Sequence, residues 1–339
     1  MPSSRTISTA RRRSRWCCWP SPSPFPSTSS SRVACLSAPN SEIVGTRIRD
    51  LTPGAWLGRA FGVLILIVFA LFFVVPLLWL LIAPTKTDRQ LLLEAPFALG
   101  DIGTLLSNWQ SLMTFQGGLI WTWIGNSMFY CVAALVITLC ISIPAGYALA
   151  MTEFRGRRLL LVVTLIVMLI PSTALVLPIF LELSAVRLIG NPLSAILPFS
   201  FYPFGVYLTY IYFSTAVSRD LLSAARLDGA SEWQVFMKIA MPLSTPVIAL
   251  VGFFSFTGNW NNYFLPYVTL PGRKAPIQVG LAELLSNVPA FNPTNAASTT
   301  ITLSALALAT LLAIAPVLLV FLFAQRYLVS GMTAGGTKE

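Results

Sequence analysis

The residues of this chain with the most chemical capacity in the least expected setting are amides. Thr257, Asn259, Asn261 and Asn262 follow an apolar run ending at Phe256, with Trp260 and Tyr263 interleaved among them. Amides pair with hydroxyl groups and aromatic rings stack on the apolar faces of saccharides, so this group suits non-covalent contact with a polar solute. It equally suits hydrogen bonds to carbonyls of neighbouring helices, or an aromatic belt at a membrane surface. Asn126, at the start of another apolar run, has the same status. Bond-making chemistry is poorly represented. Histidine is absent, which excludes histidine general-base catalysis and histidine metal sites. Cys17, Cys18, Cys35, Cys131 and Cys140 show no metal-ligand spacing and no disulfide framework, and no paired-carboxylate constellation is visible. The reading is of a chain with no catalytic site, no metal and no cofactor of its own.

A second group is compact and charged. It runs from Ser218 to Pro242 and contains Ser223-Ala224-Ala225-Arg226-Leu227-Asp228-Gly229, then Ile239 and Pro242. Ser218 can cap a first helix with Asp220 in its opening turn. Leu221, Leu222, Ala225 and Leu227 give that helix an apolar surface. Gly229 permits a turn with positive φ. Ser231 begins a second helix, with Val235, Phe236 and Ile239 as its apolar stripe. Two short helices crossing at a glycine make a stiff knob that can transmit a partner's motion. The competing reading is an amphipathic loop resting on a membrane surface.

The elements that must position both groups are membrane spans. Apolar residues make up 55% of the 339-residue chain and charged residues 10%, with a mean hydropathy of +0.75; soluble domains carry about 25% charged residues. A bilayer core needs about 20 apolar residues per helix. Runs of this kind lie at about 61–82, 125–150, 159–181, 193–213, 243–265 and 301–324. The expected fold class is therefore an all-α, multi-pass membrane protein with six transmembrane helices and a cytoplasmic loop at 214–242. The formal net charge of +10 is distributed as topology rather than as a nucleic-acid-binding face. With both termini inside, Arg155, Arg157, Arg158, Arg219, Arg226, Lys238 and Arg326 fall on the cytoplasmic side, which follows the positive-inside bias. No acid lies within a span; Glu182 comes closest, at the outer end of the third. That weakens a proton-driven mechanism. Pro144, Pro171, Pro178, Pro198, Pro203 and Pro316 predict kinks, serving either bundle curvature or gating.

Residues 1–45 are basic and rich in serine and proline, with no capacity for an amphipathic core. They read as a disordered tail near anionic lipid or, preferably, as upstream sequence from a misplaced start, with the functional chain beginning near Val44 and a membrane domain over 55–330. The segments at about 84–118 and 266–300 face outward. The first is a candidate for a docking face or a membrane-surface helix; the second, with Leu281–Leu285, for a short helix and turn on the outer face or a lining of the mouth. No G-x-x-x-x-G-K-[ST] occurs, and loop 214–242 is too short for a nucleotide-binding domain. Any ATPase must be another chain.

The Ala224-Ala225, Asp228-Gly229, Ile239 and Pro242 spacing resembles the EAA loop of binding-protein-dependent ABC importer permeases. The wider run through Trp233, with Asn126-Ser127, Gly258-Asn259-Trp260-Asn261-Asn262 and the ending Gln325 to Gly335, is similar to the carbohydrate branch and its MalG-like subunits, over roughly residues 55–337. The resemblance implies the type I importer permease fold in a bacterial cytoplasmic (inner) membrane. Its implied partners are a cytoplasmic ABC ATPase dimer that binds ATP and Mg, a second homologous permease subunit, and an extracytoplasmic solute-binding protein that delivers a sugar; nucleic acid is not among them. Ser223, Ala224, Ala225, Asp228, Gly229, Ile239 and Pro242 would couple to the ATPase. One departure stands out: the glutamate that names the motif is Ser223 here. The alternatives are an ion-coupled secondary carrier, which predicts ionisable groups at mid-span, a membrane enzyme or scaffold, and an ABC permease for polyols or sugar phosphates.

Overall fold

The structure is a computed structural model that describes residues 53–292 and 301–333. The expected tail at 1–45 lies outside the described residues. The chain divides into two units at residue 61; the described part of the first is only the opening of helix α1. All regular structure among the described residues is helical. Helix α1 is Pro53–Ile82, α2 Asp88–Leu93, α3 Ile102–Thr114, α4 Leu119–Met151, α5 Arg157–Met168 and α6 Val176–Ala185. Then come α7 Leu193–Ser200, α8 Pro203–Ala216, α9 Arg219–Leu227, α10 Glu232–Val235, α11 Met241–Leu243 and α12 Thr245–Trp260. The series closes with α13 Phe264–Thr269, α14 Ile277–Ser286 and α15 Leu303–Thr333.

Among the described residues, four helical stretches are long and apolar enough to cross a bilayer, or up to six if each of two bent pairs counts as one. From Val63 onward the α1 side chains are apolar on every face, and Leu66, Phe69 and Phe72 are all exposed. A helix apolar all round is made for lipid or for a membrane partner.

Helix α4 is the central post, packing on α3, α7, α8, α12 and α14. Its contact with α8 is close because Gly146 has no side chain there; a Cβ at that position would collide with Thr209. Small residues at such crossings let membrane helices approach. Thr138 of α4 donates to the carbonyls of Ser200 (3.1 Å) and Phe199 (3.4 Å). Phe199 lies four residues before Pro203, whose missing N–H leaves that carbonyl without its helical partner. Three apolar clusters form along α4, a small one around Tyr130, Ala134 and Leu270 and two larger ones. One gathers Leu112, Ile120, Trp123, Phe256, Trp260, Ile277, Leu284 and Ala309. The other gathers Ile143, Tyr147, Phe213, Leu222, Val235 and Phe236.

The structure corrects several span boundaries. The second begins at Leu119 rather than near 125. The third is not continuous: α5 ends at Met168, and the following helical segment turns away by 95°. Pro171 sits in that break with extended backbone, φ −63° and ψ 129°, and a proline also disfavours helix in the residue before it. The fifth does not run through to Leu265. Helix α12 ends at Trp260, and α13 begins at Phe264. The last helix continues past 324 to Thr333.

The segment between α1 and α4 is fixed by polar contacts. Lys86, 1% exposed, donates to the carbonyls of Ala95 (2.7 Å) and Pro96 (3.3 Å). Asn108 donates to Pro84 O (2.9 Å) and accepts from Thr302 Oγ1 (3.0 Å). Asp88 accepts from the backbone N–H (3.2 Å) and hydroxyl (3.3 Å) of Ser304 at the start of α15. Of the aromatic residues in and just after this segment, Phe115 and Trp123 are core, whereas Trp109 and Trp121 are exposed.

Candidate functional site: a helical knob and a polar helix end

The knob at 218–242 is built largely by local rules. Ser218 caps α9 by accepting from Asp220 N (3.2 Å). At the other end, Gly229 N–H donates to Arg226 O (3.1 Å) and Ala230 N–H to Ala225 O (3.0 Å). This is the paired-bond helix stop that needs a left-handed residue at Gly229, whose φ is 82°. Ser231 then starts α10 with a capping box: its hydroxyl accepts from Gln234 N, while Gln234 Oε1 accepts from Ser231 N. Arg226 spans the turn with two bonds to Glu232, Nε to Oε1 at 2.7 Å and Nη2 to Oε2 at 3.1 Å. That hydrogen bonding raises the Arg226 pKa and lowers the Glu232 pKa from their ordinary values. A π-helical turn at Phe236–Ala240 follows, a form found often at functional positions.

Burial divides the knob into an inner and an outer face. Leu222, Val235 and Phe236 are buried, and Ala225 and Ile239 pack against the same cluster. Tyr147 of α4 meets the rings of Phe213 at 5.3 Å and Phe236 at 4.9 Å. Arg219 Nη2 donates to Ala150 O (3.1 Å), as does Arg157 Nη2 (3.3 Å), so two arginines cover the end of α4. The outer face exposes Ser223, Ala224, Asp228, Gly229 and Pro242. It also exposes Leu221 (47%), Leu227 (89%), Trp233 (67%) and Met237 (43%). Leu221 and Leu227 therefore do not join the packed stripe with Leu222; the helix turns them away from it. Ser223 Oγ donates to Arg219 O at 3.0 Å, within its own helix. The roles of Arg157, Arg219 and Tyr147 are not readable from sequence, because most of their partners are distant in the chain.

The polar residues at the end of α12 separate. Trp260 is 1% exposed, stacks on Phe256 at 5.7 Å, and donates from Nε1 to Ala313 O at 2.9 Å. Ala313 lies three residues before Pro316, in the turn that the proline loosens. Trp260 is thus a core anchor, and its indole is not presented to a solute in this conformation. Asn126 Nδ2 donates to Arg273 O (2.8 Å) and Ala275 O (3.0 Å), binding α4 to the segment before α14. Asn259 Nδ2 reaches Ser255 Oγ at 3.4 Å, and Asn261 Oδ1 accepts from Gln278 Nε2 at 3.5 Å. Thr257 Oγ1 is buried without a hydrogen-bond partner. Asn262 lines two small crevices, one shared with Ser172 and Thr173 at the break after α5, the other with Ser127 and Asn259. Sequence reasoning missed Ser172 and Thr173; the Pro171-Ser172-Thr173 run inside an apolar stretch was the available signal. Among the described residues no group of histidine, cysteine, aspartate or glutamate side chains could hold a metal ion.

This helical membrane architecture, with its knob joined to the central helix, is that of a transport permease. Residues 142–334 match the family of binding-protein-dependent transport system inner membrane components, and the chain belongs to that family. It is 32% identical over 267 residues to the arabinooligosaccharides transport system permease protein AraQ of Halalkalibacterium halodurans, covering 78% of this chain and 91% of that protein. The AraQ protein of Bacillus subtilis is 31% identical, covering 81% and 94%. The diacetylchitobiose uptake system permease protein NgcG of Streptomyces coelicolor is 28% identical, covering 80% and 86%. In fold, the chain is similar to a solved bacterial ABC transporter involved in the import of the acidic polysaccharide alginate. The TM-score is 0.70 at 24% identity, over 81% of this chain and 98% of that one. The family is one of transport permeases rather than catalysts, and the chain is a multi-pass membrane protein.

Proposed function

We propose that this chain is the permease subunit of an ABC importer that carries a sugar or oligosaccharide delivered by an extracytoplasmic solute-binding protein. ATP and Mg are bound by a separate cytoplasmic ATPase dimer, and a second homologous permease completes the membrane pathway. The observation that carries this reading is the knob at 218–242. Its outer face offers exposed apolar residues to a partner, while its inner face is fastened to α4 by Arg219 and the Tyr147–Phe236 contact. A partner that moves the knob therefore pulls on the central helix directly. Ser223, Ala224, Asp228, Gly229 and Pro242 lie on the coupling surface, with Ala225 and Ile239 seating it.

The sugar assignment draws on relatives named for arabinooligosaccharide and diacetylchitobiose transport. In this reading the chain crosses the membrane six times over 55–330, the third time as the broken pair of α5 and α6 and the fifth through α12 alone, with both termini cytoplasmic. The gathering of Arg157 and Arg219 at the α4 end supports that orientation. Solute passes near Asn259, Asn261 and Asn262. A broken helix with polar groups at membrane depth is tolerated where it lines a water-filled cavity, which favours this face for the passage.

The test is affinity purification of the chain from its native membrane in mild detergent, after crosslinking, with mass spectrometry of the proteins recovered. Recovery of an ABC ATPase, a second permease and a solute-binding protein is expected. Recovery of the chain alone would overturn the reading in favour of a self-contained carrier.

A further inference from the structure

Beyond the polar end of α12, the chain forms a crevice of about 650 Å³ bounded by α6, α13 and α14. Tyr263 and Tyr267 stand on one wall, one turn apart, with ring centroids 5.3 Å apart and planes inclined by 29°. Phe180 contributes from α6, and Glu283 and Ser286 from α14. Tyr267 is 58% exposed. Tyr263 follows directly on Asn261 and Asn262, so the crevice continues the candidate passage along the chain.

We propose that this crevice is a subsite for a neutral saccharide, which the solute occupies beside the passage. The proposal rests on the importer reading above and adds a place and a charge class for the solute. Its volume falls within the roughly 300–1,000 Å³ range of small-molecule sites, whose walls are mostly apolar and aromatic with a few polar groups. Tyr267, the exposed member of the stacked pair, offers its ring to the C–H faces of pyranose or furanose rings, with Tyr263 backing it. The Glu283 carboxylate can accept hydrogen bonds from adjacent hydroxyls, and the Ser286 hydroxyl, whose proton goes to Glu283 O at 2.8 Å, can accept another. Glu283 is the one charged side chain among the described lining residues. A carboxylate in that position repels an acidic sugar and favours an uncharged one. An aromatic belt at the membrane surface accounts for the tyrosines but not for a concave site that they share with a carboxylate.

The experiment uses the assembled importer in lipid nanodiscs, without the solute-binding protein. Saturation-transfer difference NMR is recorded with arabinotriose and maltotriose as neutral probes and trigalacturonate as the acidic one. Transfer to at least one neutral probe and none to trigalacturonate is expected. Tyr267→Ala should weaken neutral-probe binding about fivefold, the loss of one stacking contact. Tyr267→Phe, which keeps the ring, should retain it, and Glu283→Gln should admit trigalacturonate. Basal ATP hydrolysis of each preparation reports that the complex remains assembled. An assembled complex with no transfer to either neutral probe, or with transfer unchanged by Tyr267→Ala, overturns the subsite and leaves the importer reading standing. Continued exclusion of trigalacturonate by Glu283→Gln overturns the charge class. Failure to recover an ATPase with the chain removes the importer reading and the subsite with it.

Discussion

The knob at 218–242 and the polar stretch at 257–262 are both islands of hydrophilic residues beside apolar runs, but they are held in different ways. The knob closes its own turn with bonds spanning no more than six residues: the caps at Ser218 and Ser231, the helix stop at Gly229 and the Arg226–Glu232 pair. Trp260, within the polar stretch, is held by Ala313, 53 residues further on. Asn126 is tied to Arg273 and Ala275, 147 and 149 residues away. A module that shapes itself locally can move as a unit against a partner. A stretch whose shape comes from the bundle is rigid only while the bundle is assembled. The contrast suits a lever in the first case and a wall in the second.

Four experiments test that contrast. Trp260→Ala should destabilise the bundle by about 3–5 kcal/mol, by the usual cost of deleting a buried tryptophan. Thermal unfolding in detergent should show it, and a melting temperature equal to the parent's would remove Trp260 from its anchoring role. Leu227→Asp, at a position 89% exposed, should leave unfolding unchanged. It should instead weaken ATPase capture by about 2 kcal/mol, the scale of an interface hot spot. Equal capture by the variant would move the docking face elsewhere.

Gly229→Val should strain the turn by about 1–2 kcal/mol, the penalty of a left-handed conformation for a side-chain-bearing residue. Nothing lies within 4 Å of the Cβ it would add, so backbone conformation is the cause and Gly229→Asn should be milder. Uptake by membrane vesicles should fall relative to ATP hydrolysis; unchanged uptake in Gly229→Val would sink this coupling role. The smallest effect is that of the Arg226–Glu232 pair. Its partners are 33% and 64% exposed, so solvent screening limits it to about 0.5 kcal/mol. The Glu232 pKa is lowered on folding. Its contribution is therefore present above the ordinary glutamate range and fades as pH falls through the lowered value. A double-mutant cycle across acidic pH should show the coupling only at the upper end; coupling that grows on acidification would contradict the assignment.

Much of the knob is legible in the sequence because capping and glycine turns are short-range. Ser218, Gly229 and Ser231 take the positions their residue types predict, and Val235, Phe236 and Ile239 form the packed stripe. Leu221 and Leu227 do not, because a one-turn apolar count cannot say which of several leucines faces the neighbour. The third span shows another limit: Pro171 is visible as a kink, but not that the following segment turns by 95°. Trp260 shows a third limit. Its reading as a solute contact does not hold in this conformation, because its burial depends on α15, which no local pattern couples to α12.

The helical membrane class and the local form of the knob are written in the residue order alone. These follow from hydropathy, length and backbone preferences, each readable within a short window. Which polar residues line a crevice and which serve the core depends on the packing of the whole bundle. That packing gives Trp260 to Ala313, Asn126 to the carbonyls before α14, and Tyr263 and Tyr267 to the crevice they share with Glu283. Buried donors must find partners in a bundle without water, and which carbonyls come within reach is set by how distant helices cross.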